Sequence, residues 1–60
     1  MKKHFERGQR VRVRSEDKQH GGKEGFVKGF GNQLGYRVVI VQVEGVPKPV
    51  NFAVSELIPL

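Results

Sequence analysis

The run Tyr36-Arg37-Val38-Val39-Ile40-Val41-Gln42-Val43-Glu44 is the one stretch of the chain apolar enough to sit at the centre of a fold. Its Val and Ile residues are β-branched, which favours pleated strand over helix. Gly35 and Gly45 stand at its two ends, where the backbone is free to turn. It reads as the central strand. Gln42 and Glu44 share one face, so alternation assigns Val39, Val41 and Val43 to the core. Tyr36, Val38 and Ile40 then lie together on the opposite face, which is apolar for an outer surface. Either a neighbouring segment covers these three or they form a contact surface.

Upstream, Gly8 opens Gln9-Arg10-Val11-Arg12-Val13-Arg14, a strict polar and apolar alternation. That period of two is the signature of a half-buried strand, with Val11 and Val13 inward and Arg10, Arg12 and Arg14 outward, roughly 7 Å apart. Residues 15–24 are polar and contain Gly21-Gly22, so they read as a loop of about ten residues closed by a tight turn. Residues 25–30 form a second strand whose Val27 and Phe30 break the period of two. A kink or bulge at Gly29 returns both to the core and leaves Phe26 beside Lys28 on the outer face. Residues 31–35 read as the turn into the central strand.

Downstream, Pro47 and Pro49 end the central strand, since neither donates a ladder hydrogen bond. Residues 50–53 are a fourth strand with Val50 and Phe52 inward, Val54-Ser55-Glu56 a single helical turn, and Leu57-Ile58 a last short strand. Residues 1–7 are a basic tail with Phe5 as its anchor, and residues 8–60 the domain. The sum is all-β: five short strands that close into a small antiparallel barrel with a helical turn before the last strand.

Sixty residues make one domain, and a chain this short buries only roughly 60% of the surface its unfolded form exposes. It contains no cysteine, so packing rather than cross-linking must hold it, and a reducing compartment suits it. No apolar stretch approaches the ~20 residues of a membrane span, and residues 1–7 lack the apolar segment of a signal peptide. The expected setting is cytoplasmic, without a membrane partner. Net charge is +5. Ten of the eleven Lys and Arg fall in residues 1–37 with four of the six acids, so the basic charge is concentrated in the first half. Such asymmetry suggests an acidic partner, most often nucleic acid.

Gly8, Val11 and Val13, followed by Gly22-Lys23-Glu24-Gly25-Phe26-Val27, resemble the KOW motif of ribosomal proteins and NusG-type transcription factors, over roughly the first half of the chain. That resemblance implies an SH3-like barrel in contact with RNA or with ribosomal or polymerase proteins. The loop over residues 15–20 departs from the motif in being longer and carrying two acids. Arg7-Gly8, Val11-Arg12-Val13, the run from 38 to 43, Asn51-Phe52-Ala53 and Glu56-Leu57 resemble the family of E-type subunits of photosystem I over most of the chain. That family is also an SH3-like barrel and docks electron-transfer partners. Its long insertion is missing here from residues 45–51, so the resemblance implies the barrel and not the photosynthetic role.

Catalysis finds little footing. Ser15, Asp17 and His20 supply the residue types of a hydrolytic triad but share one loop, with no rigid element to orient them. Gly22-Lys23 lacks the spacing of a phosphate loop, and His4, Glu16, Asp17 and His20 match no metal-ligand spacing. The strongest functional signal is the stripe Arg10, Arg12, Arg14, whose forked donors suit phosphate oxygens. Lys2, Lys3, Arg7, Lys23, Lys28 and Arg37 extend the patch if the fold brings them to one side, with Phe26 and Tyr36 as stacking surfaces for unpaired bases. A charged outer strand face is also how edge strands avoid aggregation. The expectation is a non-catalytic module without cofactor or metal. Its partner is nucleic acid, RNA or DNA, or a ribonucleoprotein or transcription complex. The alternative is a protein-docking adaptor or accessory component of a larger complex that uses Tyr36, Val38 and Ile40.

Overall fold

The computed structural model describes residues 5–60; the first four, with Lys2 and Lys3, lie outside the described residues. Five strands form one antiparallel sheet: β1 Arg10–Val13, β2 Glu24–Gln33, β3 Tyr36–Val43, β4 Val50–Ala53 and β5 Leu57–Pro59, with a 3-10 turn, η1, over Val54–Glu56. The spatial order is β4-β3-β2-β1-β5. The ladders end there: among the described residues none joins β4 to β5, so both are edge strands.

The alternation of β1 and β3 has the expected consequence. Val11, Val13, Val39, Val41 and Val43 are buried and meet Val27, Phe52 and Leu57 in a single cluster. Burying each such side chain contributes about 1.5–3 kcal/mol, against a total stability of only about 3–9 kcal/mol for a domain of this size. Phe5, Phe30 and Val50 pack against the cluster from its margins. At Gly25 the sheet leaves no room for a side chain, because a Cβ there would run into the Gln42 carbonyl of β3.

Between Val27 and Gly29 the β2–β3 register slips by one, with Lys28 as the unpaired residue. This is the bulge expected near Gly29, and it lets Val27 and Phe30, three apart in sequence, both face the core. One boundary differs from expectation by more than a single residue. Residues 31–33 are not turn but the end of β2, paired Gly31↔Val38, Asn32↔Arg37 and Gln33↔Tyr36. The turn is only Leu34-Gly35, both at positive φ, 52° and 81°. That is the two-residue hairpin turn whose twist matches the flanking strands.

Candidate interaction surfaces

Two surfaces carry the chemistry, the outer face of β1 to β3 and the far end of the β2–β3 hairpin. On the first, register decides what the arginines meet. Arg12 lies opposite Glu24 and Arg10 opposite Phe26, so the Glu24 carboxylate stands between two guanidinium groups. Its Oε1 accepts from Arg10 Nη2 at 2.7 Å and its Oε2 from Arg12 Nη2 at 2.9 Å. Glu44 adds a longer contact to Arg10 at 3.3 Å. The hydrogen bonds from Arg12 and then Arg10 hold the Glu24 carboxyl below its ordinary range. Those to Glu24 and then Glu44 raise Arg10 in turn.

The free row of three outward guanidinium groups is therefore corrected. Arg10 and Arg12 belong to a cluster with two carboxylates and no net charge. Arg14 turns aside, its Nε donating to the Ser55 carbonyl at 2.8 Å and tying the end of β1 to η1. The other cations do not gather. Lys23 precedes β2 while Arg37 faces Asn32 near its opposite end, and Lys28 projects from the bulge between them. All three are exposed, and none pairs with a carboxylate among the described residues. Phe26 is 41% exposed beside Arg10.

Of the two alternatives for Tyr36, Val38 and Ile40, a continuous contact surface is corrected, while cover by neighbouring chain holds for Val38 and in part for Ile40. Val38 is only 9% exposed. Its side chain and that of Ile40 lean over Gly31, within 3.6 and 3.9 Å of where a Cβ would stand. Ile40 is half-buried. The apolar surface instead moves to the hairpin end, where Tyr36 is 76% exposed and Leu34 91%. Sequence alone gives Leu34 only as part of a turn; the signal that it matters is a large aliphatic residue where turn chemistry favours Asn, Asp or Gly. Next to it the Arg37 guanidinium stacks 5.0 Å from the Phe30 ring centre. Phe30, Gly31, Asn32 and Arg37 line a shallow recess of about 260 Å³.

In the loop between β1 and β2, Asp17 Oδ1 accepts the backbone N–H groups of Gln19 at 2.8 Å and His20 at 2.7 Å. These bonds, His20 first, lower the Asp17 pKa. The His20 ring packs edge-on against Phe52, 5.9 Å between centroids. The pair orders a turn. No helix among the described residues is long and apolar enough to cross a membrane. In comparisons with known proteins, no family model, curated protein or solved structure matches the chain.

Proposed function

We propose that this chain is a non-catalytic docking module on an SH3-like barrel, presenting the end of its β2–β3 hairpin to a partner protein. The barrel reading is supported by the meander β1 to β4, with η1 returning β5 to the side of β1. One observation carries the docking: Leu34, the most exposed large apolar side chain among the described residues, sits at positive φ on a two-residue turn beside Tyr36. A non-glycine residue in that conformation costs about 1–2 kcal/mol, and folding alone gains nothing from leucine there. A rigid hairpin holding two apolar side chains in water has the form of a binding anchor.

The test is a photo-cross-linking amino acid at position 34 in cells expressing the chain, with position 48 as control. Docking predicts adducts at 34 that protease digests and nuclease does not, and that fade when Tyr36→Ser is added. Nuclease-sensitive adducts, or none, would overturn it.

A second reading, contact with nucleic acid, is favoured by the net charge of +5 and by Lys23, Lys28 and Arg37, which stand without carboxylate partners among the described residues. On this reading attraction is diffuse and salt-sensitive. Anisotropy of labelled oligonucleotides across a salt series tests it, with a flat response at low salt as the outcome against it.

A further inference from the structure

β2 is longer than the strand beside it. Its ladder with β1 covers Glu24, Gly25 and Phe26. Two further bonds, Gly8 N–H to Val27 C=O at 2.7 Å and Val27 N–H to Gln9 C=O at 2.9 Å, carry the pairing to Val27. Beyond the bulge β2 pairs with β3 alone, as far as Gln33. Along residues 29–33 one edge of the sheet has no neighbouring strand among the described residues.

Register says which groups point out along that edge. In a two-residue hairpin the closing pair, here Gln33↔Tyr36, exchanges both bonds and the next pair none, so pairs alternate. Asn32 and Phe30 thus turn their N–H and C=O groups away from β3. Natural edges are defended by lysine, proline, inward charge or a bulge, and the bulge with its Lys28 stands at the start of this edge and not along it. Residues 29–33, Gly-Phe-Gly-Asn-Gln, contain no such residue. Phe30 and Asn32 also line the recess that ends at Arg37, whose cation has no carboxylate partner among the described residues.

We infer that the free edge of β2 at Phe30 and Asn32 takes up an extended acidic segment of a partner protein as an added strand, with a carboxylate meeting Arg37. This rests on the docking reading and names the partner's chemistry. Strand addition draws its affinity from main-chain hydrogen bonds and its specificity from alternate side chains. An aliphatic residue flanking the acid would find Leu34 and Tyr36 at the hairpin end. A second copy of this chain is the weaker occupant, since its own edge is uncharged and two copies each carrying +5 repel.

The probe is a fluorescein-labelled octapeptide alternating glutamate and valine, titrated by anisotropy with the full chain. Saturable binding is expected. Asn32→Pro should abolish it while leaving the β3 ladder, because proline at that position removes only an outward N–H. Arg37→Glu should weaken it by about tenfold or more and transfer preference to a lysine-valine octapeptide. The same peptide N-methylated at the amides that face β2 should not bind, which tests the edge without altering the protein. Binding that survives methylation, indifference to the sign of the peptide's charge, or no binding would each overturn the inference. So would a sedimenting dimer that Asn32→Pro dissolves. Peptide failure with the position-34 adducts intact would reject this occupant and leave docking standing.

Discussion

Glu24 and Arg12 face each other across the β1–β2 ladder and are joined twice, Oε2 lying 2.9 Å from Nη2 and 3.3 Å from Nε. Both Arg12 nitrogens converge on that one oxygen, and Arg10 closes the carboxylate from the other side, its Nη2 2.7 Å from Oε1. An outward row of arginines on one strand becomes a neutral clasp across three.

Acid should loosen the clasp. Glu24 is held below its ordinary value of 4.5 and Asp17 below 3.8. Carboxyls depressed on folding contribute stability that is present above their unfolded values and lost as pH falls through the folded ones. Urea midpoints should therefore hold from pH 7 to about pH 5 and decline below 4.5. In Glu24→Gln the decline should be shallower, with Asp17 supplying what remains.

Removing the carboxylates should release the arginines. In Glu24→Gln with Glu44→Gln, Arg10 and Arg12 regain phosphate as a partner. The slope of log K against log salt for single-stranded DNA should steepen by about 1.4, roughly 0.7 for each of two contacts. An unchanged slope would mean that the glutamates do not govern these two side chains.

Leu34→Asn should separate stability from binding. Asparagine tolerates positive φ far better than leucine, so the unfolding free energy should rise by about 0.5–1 kcal/mol. Cross-linking from a neighbouring position on the hairpin should fall. A variant both less stable and fully competent would contradict the role given to this turn.

Two glycines four residues apart should respond oppositely to alanine. Gly25→Ala drives a methyl into the Gln42 carbonyl and should cost more than about 3 kcal/mol, enough to unfold much of the population. Gly29→Ala meets open space at ordinary φ and should be neutral or stabilising by up to about 1 kcal/mol. Thermal melts of the pair measure the difference directly.

What is legible in the chain follows from period. Alternating Val11 and Val13, the odd-numbered valines of β3, and the mismatch between Val27 and Phe30 name the core and the bulge without any knowledge of pairing. What is not legible depends on register. Glu24 lies twelve residues from Arg12 and Glu44 lies thirty-four from Arg10. Only the hairpin geometry makes them neighbours. The hairpin length is hidden for a local reason: Gly31 and Asn32 are turn formers by type, yet the turn falls on Leu34-Gly35 because that placement sets Phe30 opposite Val39. Alternation sets Val38 on the outer face correctly but not what it meets there, since its side chain leans into the space over Gly31, a hollow that no apolar count reveals.

The unpaired Lys28 has a consequence for direction. Removing that residue would leave Val27, Gly29 and Phe30 in unbroken alternation, with every later partner unchanged. Its presence therefore decides not which side chains meet but how the long arm of β2 and β3 bends and twists beyond that point. Aim and chemistry are separable here: an elbow one residue long points the tip, and the tip's contacts can be altered without moving it.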